Sequence, residues 1–191
     1  MTVLALFALA AAPGIRQQAQ REREIETIFR GEEVADAIRL YYSYQGRQRN
    51  VTGVAALPTS VDQLLEGVTV NTKKLQILRA SAARNPLSDS GEWSLVRPRS
   101  SRLADFTRAV MVFAGNVRPP TNDPQLKLVE GDIAPFVLPG SGSTPGSSSS
   151  SGDDDSSGPF IGVCINSKSS SVVNYYGIDR HDGWIFTPLF R

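Results

Sequence analysis

The stretch Met1 to Tyr44 limits the possible folds more than any other, because it reads as one long helix that passes through two environments. Its front is almost purely apolar, from Val3 through Leu4, Leu6, Phe7 and Leu9 to Ala12. Pro13-Gly14 interrupts that run, and a charged segment rich in Gln, Arg and Glu follows. Ala, Leu, Gln, Arg and Glu all lie near the favourable end of the helix propensity scale. Behind Pro13, Ile25, Ile28, Phe29, Ala35, Ile38 and Tyr42 recur at helical spacing and are expected to form the stripe that packs. Arg23, Glu26, Arg30, Glu33 and Asp36 are expected on the wet face. Pro13 should bend the helix, since it removes a backbone donor and its ring crowds the preceding turn.

An apolar helix end joined to a globular domain needs cover, from a bilayer, from copies of itself or from its own domain. From Thr2 to Ile15 a helix covers roughly 20 Å, short of the ~30 Å hydrocarbon core. A cleaved leader is the alternative. The Ala10-Ala11-Ala12 run fits one, but no Lys or Arg precedes it.

The rest of the chain has room for one core and little else that is distinctive. Twenty basic residues against nineteen acidic ones leave no field for nucleic acid, so no nucleic-acid partner is expected. The single cysteine, Cys164, excludes an internal disulfide; within Phe160 to Ile165 it reads as a small buried hydrophobe. The chain divides into a helix over 1–45, with an apolar front at 3–15 and an amphipathic back at 16–44, and a head over 46–191.

Within the head, Gly46 is expected to cap the long helix. A short helix should follow Leu57-Pro58, capped by Thr59 and ended by Gly67. Asn85-Pro86 and Ser88 to Gly91 read as a turn, and Glu92 to Val96 as a half-buried strand closed by Pro98. Leu103 to Phe113 fits a helix or a buried strand, and Leu126 to Val129 a short strand. The Gly, Ser and Asp tract at about 140–158 cannot bury enough apolar area to order itself. Its triplet Asp153-Asp154-Asp155 lacks a spaced calcium-ligand pattern, so no cofactor is expected and calcium is not assigned. Phe160 to Ile165, Ser171 to Tyr176 and Gly183 to Thr187 read as three consecutive strands of an antiparallel meander. The expected class is therefore α+β, a long N-terminal helix packed on a small antiparallel sheet. Ile25, Ile28, Phe29, Ile38, Trp93, Trp184 and Phe186 are the expected helix–sheet core.

The only histidine, His181, lies in Asp179-Arg180-His181-Asp182. A histidine beside carboxylates can serve as a general base, but neighbours on a turn seldom converge on one point. With no Gly-x-Ser-x-Gly elbow or phosphate loop, no enzyme is expected.

Several strings together resemble the type IV pilin and type II secretion pseudopilin family. They are Ala11-Ala12-Pro13 with the charged helix, Leu57 to Leu64, Leu78-Arg79 with Asn85-Pro86 and Glu92-Trp93, and the ending Gly158 to Val163 with Tyr176-Gly177 and Trp184-Ile185-Phe186. The resemblance implies a filament subunit that assembles through Leu4, Leu6, Phe7, Leu9, Pro13 and Ile15. Its implied partners are copies of itself, other pilin-like subunits and the secretion or pilus assembly machinery. The implied location is the bacterial cell envelope, in the inner membrane before assembly, with the head in the periplasm. The sequence as written opens inside the apolar stretch, without the family's peptidase site or its early glutamate. It is expected neither to be processed nor to span a membrane; membrane contact is expected of a longer form with a complete helix. The insert at about 97–157 departs from the family pattern, and no calcium site is carried onto it. The alternative function is a secreted or periplasmic binding domain with a cleaved leader.

Overall fold

The computed structural model describes residues 2–70, 72–133 and 158–190; for residues 2–13, 128, 129, 132 and 133 it describes the backbone alone. The architecture is α+β, with a long N-terminal helix packed against small antiparallel sheets. Helix α1 runs from Thr2 to Arg49 without interruption at Pro13. It ends later than expected. Gly46 is still helical, and Asn50, at φ 52°, supplies the left-handed residue while the Val51 N–H closes on the Gln45 carbonyl at 3.3 Å.

The head is short elements in series. Helix α2 (Val61–Glu66) is capped one residue later than expected. Ser60 accepts from the Gln63 N–H, while Thr59 and Gln63 exchange hydrogen bonds. Gly67, at φ 76°, turns the chain into strand β1 (Val68–Val70), which pairs with β2 (Lys73–Leu75). Strand β3 (Ser94–Val96) follows the Asn85 turn. Helix α3 (Ser101–Phe113) settles the ambiguous segment, with Ser100 as its cap and Leu103, Phe106, Val110 and Met111 buried. Helix α4 (Pro124–Ile133) stands where Leu126 to Val129 was expected as a strand. The reason is its start: the Asp123 carboxylate accepts from the Gln125 and Leu126 N–H groups, and Pro124 occupies the first turn.

The expected meander is absent. Strand β4 (Gly162–Cys164) pairs antiparallel with β3 on one side and β7 (Ile185–Phe186) on the other. Between them, β5 (Ser170–Tyr175) turns back on β6 (Ile178–Arg180) as a separate hairpin. Its tip, Tyr176-Gly177, has φ 51° and 78°, the double left-handed conformation of a type I′ turn. Forming that local pair takes β5 out of the central sheet. The Gly, Ser and Asp tract lies outside the described residues apart from Gly158.

The core lies where α1 crosses β4, β5 and β7. Ile38, Trp93, Trp184 and Phe186 are buried there, and Trp93 sets its edge against Phe186 with ring centroids 5.7 Å apart. Cys164 is buried as well. The expected packing stripe of α1 needs correction. Ile28 is half-buried, but Ile25 is 51% exposed and Phe29 is 55% exposed. The packed face consists of Glu24, Thr27, Gly31, Val34, Ala35, Ile38 and Tyr42. Ile25 and Phe29 stand about 100° and about 140° round the helix from Glu24. The physical cause is Gly31. A Cβ there would collide with the Phe186 ring, so the ring rests against the helix backbone itself. Close approach at this level selects a residue without a side chain facing Phe186 and leaves Ile25 and Phe29 outside, while Ile38 and Tyr42 pack farther along.

Candidate functional site

Two regions carry the functional question: the front of α1, and the point where that helix leaves the head. Of the residues expected to drive assembly, the side chains of Leu4, Leu6, Phe7, Leu9 and Pro13 lie outside the described residues. Ile15 is described and is 67% exposed. Residues 14–19 are all exposed, and the helix turns Gly14, Gln18, Glu22 and Ile25 toward an open groove beside Val172 of β5. Among the described residues no helix is long and apolar enough to cross a membrane.

The second region is built around a buried carboxylate. Glu24 has no accessible surface, although it belongs to a helix whose neighbouring residues Arg23 and Ile25 face water. Its oxygens accept from the Val172 N–H at 2.9 and 3.1 Å and from the Val173 N–H at 2.7 Å. The Gln20 amide, one turn back, donates at 2.8 Å. His181 Nε2 lies 2.9 Å away, from a turn between β6 and β7. Two successive N–H groups reach one acceptor because the β5–β6 ladder is irregular between Ser170 and Tyr175. That frees the helix-facing edge of β5, and Gln20 also donates to the Ser170 carbonyl at 3.0 Å. Burial pushes the Glu24 carboxyl up, but the hydrogen bonds from Val173, Val172, Gln20 and His181 outweigh it and hold the group below the usual carboxylate range.

His181 is buried, and it pairs with Glu24 from α1 rather than with the carboxylate of the adjacent Asp182. Asp182 is occupied by Arg180 at 2.8 Å, and the imidazole lies edge-on to Trp184 at 5.1 Å. Its Nδ1 is buried and has no partner among the described residues. The Glu24 carboxylate and the His181 ring bond each other, main-chain amides and Gln20, and so join α1 to β5 and to the turn before β7. Residue spacing offered no signal for Glu24. It lies on the charged segment, and its partners come from the far end of the chain.

A third contact ties α1 to the loop before β3. Arg79 reaches Glu33 with two parallel bonds of 2.7 and 2.5 Å while lying 5.6 Å from the Phe29 ring centroid. The Arg79 hydrogen bond holds the Glu33 carboxyl below its usual range. Among the described residues no three His, Cys, Asp or Glu side chains gather as a metal site. A pocket of about 20 Å3 between Phe106, Tyr175, Tyr176 and Phe190 admits a single water-sized molecule. No protein-family model matches the chain, and no curated protein or solved structure is detectably similar to it.

Proposed function

We propose that this chain is a structural subunit of a type II secretion pseudopilus or a type IV pilus-like filament, assembling through the front of α1. One observation carries the reading: the helix outruns its own head. Residues 14–19 are exposed, and the apolar core draws on α1 only from Ile28 onward. Polar contacts with the head reach back to Gln20, and at 1.5 Å per residue the helix ahead of it extends roughly 27 Å. An apolar front of this kind gains by burial among identical fronts, at roughly 25 cal/mol for each Å2 removed from water. Leu4, Leu6, Phe7, Leu9 and Ile15 supply that surface in this reading, and Pro13 sets the local path of the helix. The heads then face outward, in the periplasm, and the partners are copies of the chain and related subunits. The sequence resemblance to pilins and pseudopilins supports the same class.

Phe7→Asp tests it. The charge should abolish recovery of the subunit in sheared filaments while the head keeps its near-ultraviolet circular dichroism. Normal incorporation of Phe7→Asp would remove the bundle role. A natural N-terminus at Pro13 or Gly14, read by mass spectrometry, would favour the secreted binding domain instead.

A further inference from the structure

We infer that Glu24, Val172, Val173 and His181 form a charge-locked clasp that fixes the rotation of the long helix on the head and marks the point from which the helix can be released. The inference goes beyond the filament reading and stands without it, because it concerns one molecule's helix and head.

The argument begins with how the two are joined. From Ile28 onward the hold is mainly apolar, with Phe186 against Gly31 and Val34, Ala35 and Ile38 buried, and with polar ties from Glu33 to Arg79 and from the Tyr44 hydroxyl to the Thr69 carbonyl at its margin. Apolar burial by itself is non-directional, and the Gly31–Phe186 approach is what restricts rotation there. Ahead of Ile28, the contacts with the head are polar: Gln20 to the Ser170 carbonyl, and Glu24 to two amides and an imidazole. Ile25, the one large apolar side chain at this level, is 51% exposed and only borders the open groove beside Val172.

A carboxylate met by four donors from three places in the chain has one productive orientation. Turning α1 by a single residue, about 100°, would carry Glu24 out toward water and leave the Val172 and Val173 amides without their acceptor. In the apolar part Gly31 sets the same rotation, since any neighbouring residue turned into its place would drive a Cβ into the Phe186 ring; the clasp extends that constraint to the N-terminal side. Buried polar groups used in this way specify register rather than add net stability.

The tautomer follows from the geometry. Of the two ring nitrogens of His181 only Nε2 has a partner among the described residues, so the form that carries its proton there is the one that donates to Glu24. The clasp therefore needs an ionised Glu24 and an Nε2–H on His181. Removing either should free the helix from its N-terminal end up to Thr27 and expose the edge of β5, while the core stays closed.

Hydrogen exchange on the full chain in detergent micelles reads this directly. In Glu24→Gln the Val172 and Val173 amides should exchange at least tenfold faster than in the parent, with Val163, Cys164 and Ile185 unchanged. Spin labels at Gln18 and Asn174 should give a broader distance distribution in the variant. Should Glu24→Gln fail to fold, His181→Phe keeps a ring in the buried place and should give the same pattern, about threefold in exchange. Unchanged exchange at Val172 and Val173 would overturn the inference. So would an equal rise throughout the sheet, or a label distribution as narrow as the parent's.

Discussion

The two parts of α1 meet the same head by opposite means. Beyond Ile28 the helix offers small residues, Gly31, Ala35 and Ala37, and the head fills the space with Phe186, Tyr42 packing beside them. Before Ile28 the helix offers Gln20 and Glu24, and the head answers with main-chain amides and His181. The first kind of contact supplies most of the hold, since apolar burial scales with area. The second supplies orientation, since a buried carboxylate tolerates one arrangement of donors. A helix that must stay attached along one part while another part serves elsewhere needs both.

The sharpest way to break that contrast is Phe186→Ala. It removes the ring that closes on Gly31 and should cost about 4 kcal/mol in denaturant unfolding. A loss below about 1 kcal/mol would mean that the back of the helix is not held by this contact. Glu24→Gln should cost less, about 3 kcal/mol at pH 7, because a buried pair loses one partner. Its pH dependence separates charge from shape. Glu24 is held below its usual range when folded, so its contribution is full above the unfolded value of about 4.3 and is lost as pH falls through the lower folded value. The difference between parent and variant should therefore stay constant from pH 7 to about pH 5 and shrink below that. A difference that is flat to pH 2 would show that Glu24 acts by shape alone.

The same contrast explains what could be read in advance. Phe160 to Ile165 and Trp184 to Phe186 were legible as strand segments because burial on both sides demands continuous apolar residues, and that is where β4 and β7 lie. Their pairing was not legible. Register between β3, β4 and β7 is non-local, and the hairpin of β5 and β6 interrupts the order along the chain. The long helix itself was legible from composition, but its packed face was not. Counting large apolar residues selected Ile25 and Phe29, whereas close approach to Phe186 selected Gly31. Helix α4 carried its own start signal in Asp123-Pro124, which the alternation of Leu126, Lys127, Leu128 and Val129 obscured. Glu24 had no local signal beyond Gln20 one turn back, since its other donors lie about 150 residues later.

The smallest expected effect bears most closely on the helix face. Ile25 is half outside the molecule, so Ile25→Ala should change unfolding stability by no more than about 0.5 kcal/mol, as surface substitutions generally do. A buried isoleucine cut back to alanine costs about 2–5 kcal/mol, so the two outcomes do not overlap. A loss of about 2 kcal/mol or more would rotate the helix to the face that large apolar residues mark, taking Glu24 away from Val172, Val173 and His181. A loss near zero leaves Ile25 as a half-exposed wall of the groove beside Val172, adding little to the hold that Glu24 and Thr27 make on the adjoining face.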